Sequence, residues 1–138
     1  MLKLPTILFL IIGIGFALTH VIGTELSLYW QYSWFDILMH FLGGFVIVLC
    51  FFAVSDVFPR FPRRFLFPIP VLLSVLLVAL AWEVFELKIG VPIELDFELD
   101  TTIDIIMGML GAVIGYVVAY SVSTFDFDKE DTFESGSE

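Results

Sequence analysis

Six ionisable side chains fall in three pairs at helical spacing: Asp36 and His40, Glu83 and Glu86, Asp100 and Asp104. Steps of three or four residues put each pair on one helical face, with i and i+4 about 6 Å apart along the axis. Carboxylates with one imidazole are oxygen-rich ligands suited to magnesium, manganese, calcium or zinc. The same groups can act as a general base or proton relay, or accept hydrogen bonds from a cationic ligand. Gly108, Gly111 and Gly115 continue the Asp100–Asp104 face at steps of four, three and four residues. A helix that is apolar elsewhere and carries one acidic, glycine-lined seam turns that seam toward other protein.

The elements that must position these residues are membrane spans. The chain is 59% hydrophobic and only 16% charged, with a mean hydropathy of +1.01. An ordinary soluble domain is roughly 45–50% apolar and about 25% charged. A soluble core in a chain of 138 residues could not hide this much apolar surface, so a bilayer is the expected solvent. The expected fold is all-α, an integral membrane bundle of four transmembrane helices. The net charge of −10 leaves no basic footprint for nucleic acid. Cys50 is the sole cysteine, which excludes an intrachain disulfide and a multi-cysteine metal site.

Apolar runs place the spans at 4–23, 36–58, 69–88 and 100–124. About 20 such residues cross a hydrocarbon core of roughly 30 Å. The first run reads as an anchor: it is long for the core of a signal peptide, and no A-x-A site follows it. Tyr29, Trp30, Tyr32 and Trp34 crowd the first connector and suit the headgroup level. The second connector, 59–70, holds four prolines, which forbid a continuous helix, and Arg60, Arg63 and Arg64. With Lys3 before the first span and no Lys or Arg in the first connector, the positive-inside rule puts both termini in the cytoplasm. The chain then divides into a four-span domain at 1–124 and an acidic, disordered tail at 125–138.

This topology brings the three pairs to one depth near the outer interface, where His20 and Glu25 could join them. Carboxylates crowded in a half-buried pocket must be protonated or paired with a cation. Lys88 is the only basic residue close by in sequence. One divalent metal ion is therefore an open choice of cofactor. The plainer alternative makes Asp36, Glu86 and Asp100 solvated helix ends, with Asp36 and Asp100 stabilised by the helix dipole. It fits His40, Glu83 and Asp104 less well, because they lie deeper. The three glycines read as packing residues.

The ordered set D-ILM-H-FLGG, WEVFE, and D-TTI-D leading into Gly108, Gly111 and Gly115 resembles the VanZ-like superfamily, including its YjdF-type small membrane proteins. The resemblance covers roughly residues 30 to 120. Departures are Ile37 where VanZ-type chains often carry Lys, Glu86 where Gln is common, and no Arg before the last span. The resemblance implies a small polytopic membrane protein with envelope-linked associations, and no particular reaction.

Three functions follow as expectations. The first is a membrane protein whose outer acidic/His pocket binds a lipid, an envelope component or a protein partner, with homo-oligomerisation open. The second is an enzyme in which a metal held by Asp36, His40, Glu83, Glu86, Asp100 and Asp104 polarises a lipid head group. The third, a proton- or cation-coupled transporter, is disfavoured because the acids stop near one surface and do not cross the core.

Overall fold

The computed structural model describes residues 3–89 and 97–135, with side chains for 3–88 and 98–123. Helices α1 (Leu4–Glu25), α2 (Leu28–Gln31), α3 (Ser33–Val57), α4 (Pro68–Ile89) and α5 (Phe97–Ser135) account for most of it, with a short 3-10 turn at Arg63–Leu66. Four of these are long and apolar enough to cross a membrane: Leu4–Glu25, Ser33–Val57, Pro68–Lys88 and Glu98–Ser123. The expected all-α, four-span architecture is therefore present. Pro68 and Pro70 fall in the first turn of α4, where a missing N–H removes no helical bond.

The apolar span of the last helix, Glu98–Ser123, ends next to Thr124, where the sequence places the span's end, and the helix itself runs on to Ser135. No glycine or proline interrupts the chain between Gly115 and Gly136, so nothing local stops the helix there. Glu94 and Asp96 of the third connector lie outside the described residues.

Helix α3 is the centre of the bundle. It packs most extensively on α5, then on α1, and also meets α4. Its contact with α5 is made possible by glycine. A Cβ on Gly44 would overlap the carbonyl oxygen of Gly108, and one on Gly111 would overlap that of Phe41. A Cβ on Gly115 would lie 3.1 Å from the Phe45 carbonyl oxygen. The acidic, glycine-lined seam of α5 therefore faces α3, backbone against backbone, as small residues permit in lipid.

Toward the proline-rich connector the seam gives way to an apolar core of Val48, Leu49, Phe52, Val71, Val75, Ala112 and Ala119. At this end Thr6 of α1 donates to Asp56 Oδ2 of α3 at 3.0 Å. Tyr116 of α5 donates to the Leu66 carbonyl at 2.9 Å, tying the connector to the bundle. Tyr116→Phe should lower stability by about 1 kcal/mol, read from unfolding in mixed detergent; no change would show that this bond does not anchor the connector.

One pair of neighbours is missing. Among the described residues, no Cα of α1 comes within 8 Å of a Cα of α4, although both flank α3. Large side chains such as Ile11, Ile14 and Leu18 on α1, and Leu73, Leu77 and Val84 on α4, are exposed and face the surroundings. In a bilayer this is the surface that lipid covers.

Candidate functional site

At the end of the bundle away from the proline-rich connector, α3, α4 and α5 bring together all six of the ionisable residues singled out above. His40 is the hub. Its Nε2 lies 3.6 Å from Asp36 Oδ1, 3.8 Å from Glu83 Oε1 and 3.9 Å from Asp104 Oδ2. Three overlapping groups each place one ligand atom per residue within 4.8 Å of the others: Asp36, His40 and Glu86; His40, Glu83 and Asp104; Asp36, Asp100 and Asp104.

The local reasons are simple. Asp36 sits in the first turn of α3, where a carboxylate is favoured by the helix dipole, and His40 follows one turn later on the same face. Asp104 lies about two turns inside α5, on the face that the glycines press against α3. That placement buries it, leaving 1% of its surface exposed, and Glu83 is 6% exposed. Asp36, Glu86 and Asp100 are only partly buried. The six thus form an inner group of His40, Glu83 and Asp104 and a wetter ring of the other three.

Hydrogen bonding within the inner group is incomplete. Thr101 Oγ1 donates to Glu83 Oε2 at 2.9 Å, while Glu83 Oε1 and Asp104 Oδ1 are buried with no hydrogen-bond partner. Buried polar atoms are nearly always paired, so two orphaned carboxylate oxygens around one imidazole are unusual. Lys88, the nearest basic residue in sequence, is exposed, and the ion-pair contacts to Glu83 and Asp104 come from His40.

Thr101 is a residue that the sequence reading passed over. It stands three positions before Asp104 on the same face of α5, so its spacing was a usable signal. Glu25 stays exposed and belongs to none of the three groups. His20 takes another part. Its Nδ1 pairs with the Tyr29 hydroxyl at 2.7 Å, and its ring meets that of Trp82 edge-on at 6.4 Å. Trp30, Tyr32 and Trp34 are exposed, as an interfacial belt would be. Tyr29 instead turns inward, through a tight turn in which Ser27 adopts left-handed backbone with φ 55°. Burial, with the Asp36 and Glu86 carboxylates nearby, pushes the Tyr29 hydroxyl up to about 12, so it stays a neutral phenol.

A cleft of about 350 Å³ opens where α1 and α4 stand apart. Its walls are largely apolar, with Phe16 on α1, Val78 and Trp82 on α4, and Met39 and Gly43 on the α3 floor. Asp36, His40, His20 and Tyr29 supply polar groups to its lining. Glu83 and Asp104 are not among the lining residues, so the cleft reaches the inner group from the Asp36–His40 side. The cleft was not legible in the sequence.

No curated protein and no solved structure matches the chain. The model of one protein family matches residues 1–124, the whole of the four-span region. Four apolar spans in that region agree with the family's description, and the chain belongs to the family described as "Predicted membrane protein (DUF2238)".

Proposed function

We propose that this multi-pass membrane protein binds a membrane lipid, with the chain in the cleft between α1 and α4 and the head group against the acidic/His pocket. The observation that carries this reading is the continuity of the cleft with the pocket: Asp36 and His40 belong to both. A volume of about 350 Å³ falls in the roughly 300–1,000 Å³ range of small-molecule sites. Apolar walls with a few polar groups at one end suit an amphiphile, and in a bilayer the gap between α1 and α4 is the side from which one would enter.

In this reading the pocket faces the outside of the cell. Lys3, Arg60, Arg63 and Arg64 belong to the opposite end of the bundle, which the positive-inside rule assigns to the cytoplasm together with both termini. The motif order supports placement in the VanZ-like superfamily, nearest its YjdF-type members, and an envelope-linked role. A protein partner or a second copy could cover the exposed helix faces without altering this assignment.

Gly43→Leu tests the lipid reading. Gly43 lines the cleft, and a Cβ there would meet only the Phe16 ring, at 3.8 Å, so a larger side chain at this position takes up cleft space. Lipid retained through detergent purification and measured by mass spectrometry should fall at least tenfold in this variant. Gly15→Ala, with nothing within 4 Å of the new methyl, should retain it. Equal retention in Gly43→Leu and wild type would sink the reading.

A further inference from the structure

We infer that His40 Nε2, Glu83 and Asp104 hold a divalent cation of the zinc or manganese type. An acidic cluster alone would not carry this. The second observation is the pair of buried, unpartnered carboxylate oxygens, Glu83 Oε1 and Asp104 Oδ1, on residues 6% and 1% exposed. Leaving such atoms unsatisfied in the interior is costly. A cation seated beside His40 Nε2 partners Glu83 Oε1 directly and takes Asp104 through Oδ2, the oxygen that faces the imidazole.

Charge balance points the same way. Three carboxylates, Asp36, Glu83 and Asp104, lie 3.6–3.9 Å from His40 Nε2, more negative charge than one imidazolium offsets. Among the described residues, the ion-pair contacts of Glu83 and Asp104 come from His40.

Geometry narrows the metal. His40 Nε2 stands 3.8 Å from Glu83 Oε1 and 3.9 Å from Asp104 Oδ2. Bonds of about 2.0–2.2 Å in tetrahedral coordination set ligand atoms about 3.4 Å apart. Side-chain rotations of about half an ångström bring each carboxylate to that spacing from the imidazole. Calcium wants six to eight oxygens and magnesium keeps most of its water, and neither is drawn to imidazole. Three protein ligands leave a coordination position open, the pattern of reactive sites and not of closed structural ones. The cleft reaches this group from the Asp36–His40 side.

Thr101 is the positioning residue. Its hydroxyl engages Glu83 Oε2, which leaves Oε1 turned toward His40. The further step, that the ion offers its open position to an anionic lipid head group, rests on the lipid reading; the cation site itself does not.

The test uses the full chain in detergent, stripped with chelator and then titrated with zinc or manganese, with metal content measured by elemental analysis. About one ion per chain is expected. Asp104→Asn should weaken uptake at least a hundredfold, and Thr101→Val about tenfold, as loss of a supporting hydrogen bond does at metal sites. Glu25→Gln should leave it unchanged. Failure of the wild type to take up either ion would overturn the site, as would unaltered uptake in Asp104→Asn and Thr101→Val. A preference for calcium or magnesium would overturn the part given to His40. Thr101→Val keeps the test sharp if Asp104→Asn does not fold. Lipid retention by a protein that takes up no ion would overturn the cation site and leave the lipid reading standing. Uptake without lipid retention would do the reverse.

Discussion

Gly44→Ala should remove most of the folded protein, although it adds a single methyl group. That methyl would overlap the carbonyl oxygen of Gly108, which is backbone and cannot swing aside. Helices α3 and α5 must then separate along their most extensive contact, at a cost of about 3 kcal/mol, the upper part of the usual range for overpacking. Gly111→Ala should behave alike, because its methyl would overlap the Phe41 carbonyl, and Gly111→Leu should be worse. Two controls separate packing from a general dislike of substitution. Gly108→Ala meets nothing nearer than the His40 carbonyl at 3.6 Å, and Gly15→Ala meets nothing within 4 Å. Both should fold, and Gly15→Ala gains from alanine's better helix propensity. The readout is the monodisperse fraction after detergent extraction, with thermal unfolding of what remains. Wild-type behaviour of Gly44→Ala would mean that α3 and α5 do not meet through this seam.

The consequence reaches the site. His40 stands on α3 and Asp104 on α5, so the same seam that seats Gly44 on Gly108 sets the distance from imidazole to carboxylate. Any Gly44→Ala protein that survives extraction should also be impaired in ion uptake.

His40→Ala and Asp104→Asn should each lower zinc or manganese affinity a hundredfold or more, and the double variant should be little worse than either alone. Two residues that serve one ion are not independent: once the first is lost, the second has little left to contribute. A hundredfold loss is about 2.8 kcal/mol, so the coupling from such a cycle should approach that size. Additive losses would show two separate roles and break the three-residue site apart. Asp126→Asn, in the acidic tail, should match wild type; an equal loss there would mean that the effect is net charge and not local coordination. Measuring lipid retention on the same four proteins would show whether ligand binding follows the ion.

Some of this was readable from residues alone because the signals are local. Hydropathy over about 20 residues reports a span wherever it lies. A step of three or four residues places Asp36 with His40, or Glu83 with Glu86, on one face whatever surrounds the helix. Alternating direction through short connectors then puts all three pairs at one end, with His40, Glu83 and Asp104 deeper than the rest. The glycine-lined seam of α5 was legible for the same reason, as a periodicity of small residues.

What the sequence could not determine was how each helix is rotated and which neighbour it meets. Lipid is as apolar as the side chains, so a span that is apolar on every side carries no inside–outside contrast to orient it. Only the tertiary structure shows that α3 is central, that α1 and α4 stand apart, and that the gap between them leads to Asp36 and His40. The inward turn of Tyr29 and the bond from Thr101 to Glu83 belong to the same class, since each joins residues on different helices. The sequence by itself determined the membrane class, the spans and the depth of the acids. Close backbone contact at Gly44 and Gly111 sets which faces of α3 and α5 meet and so places Asp104 beside His40, while the packing of α4 brings in Glu83.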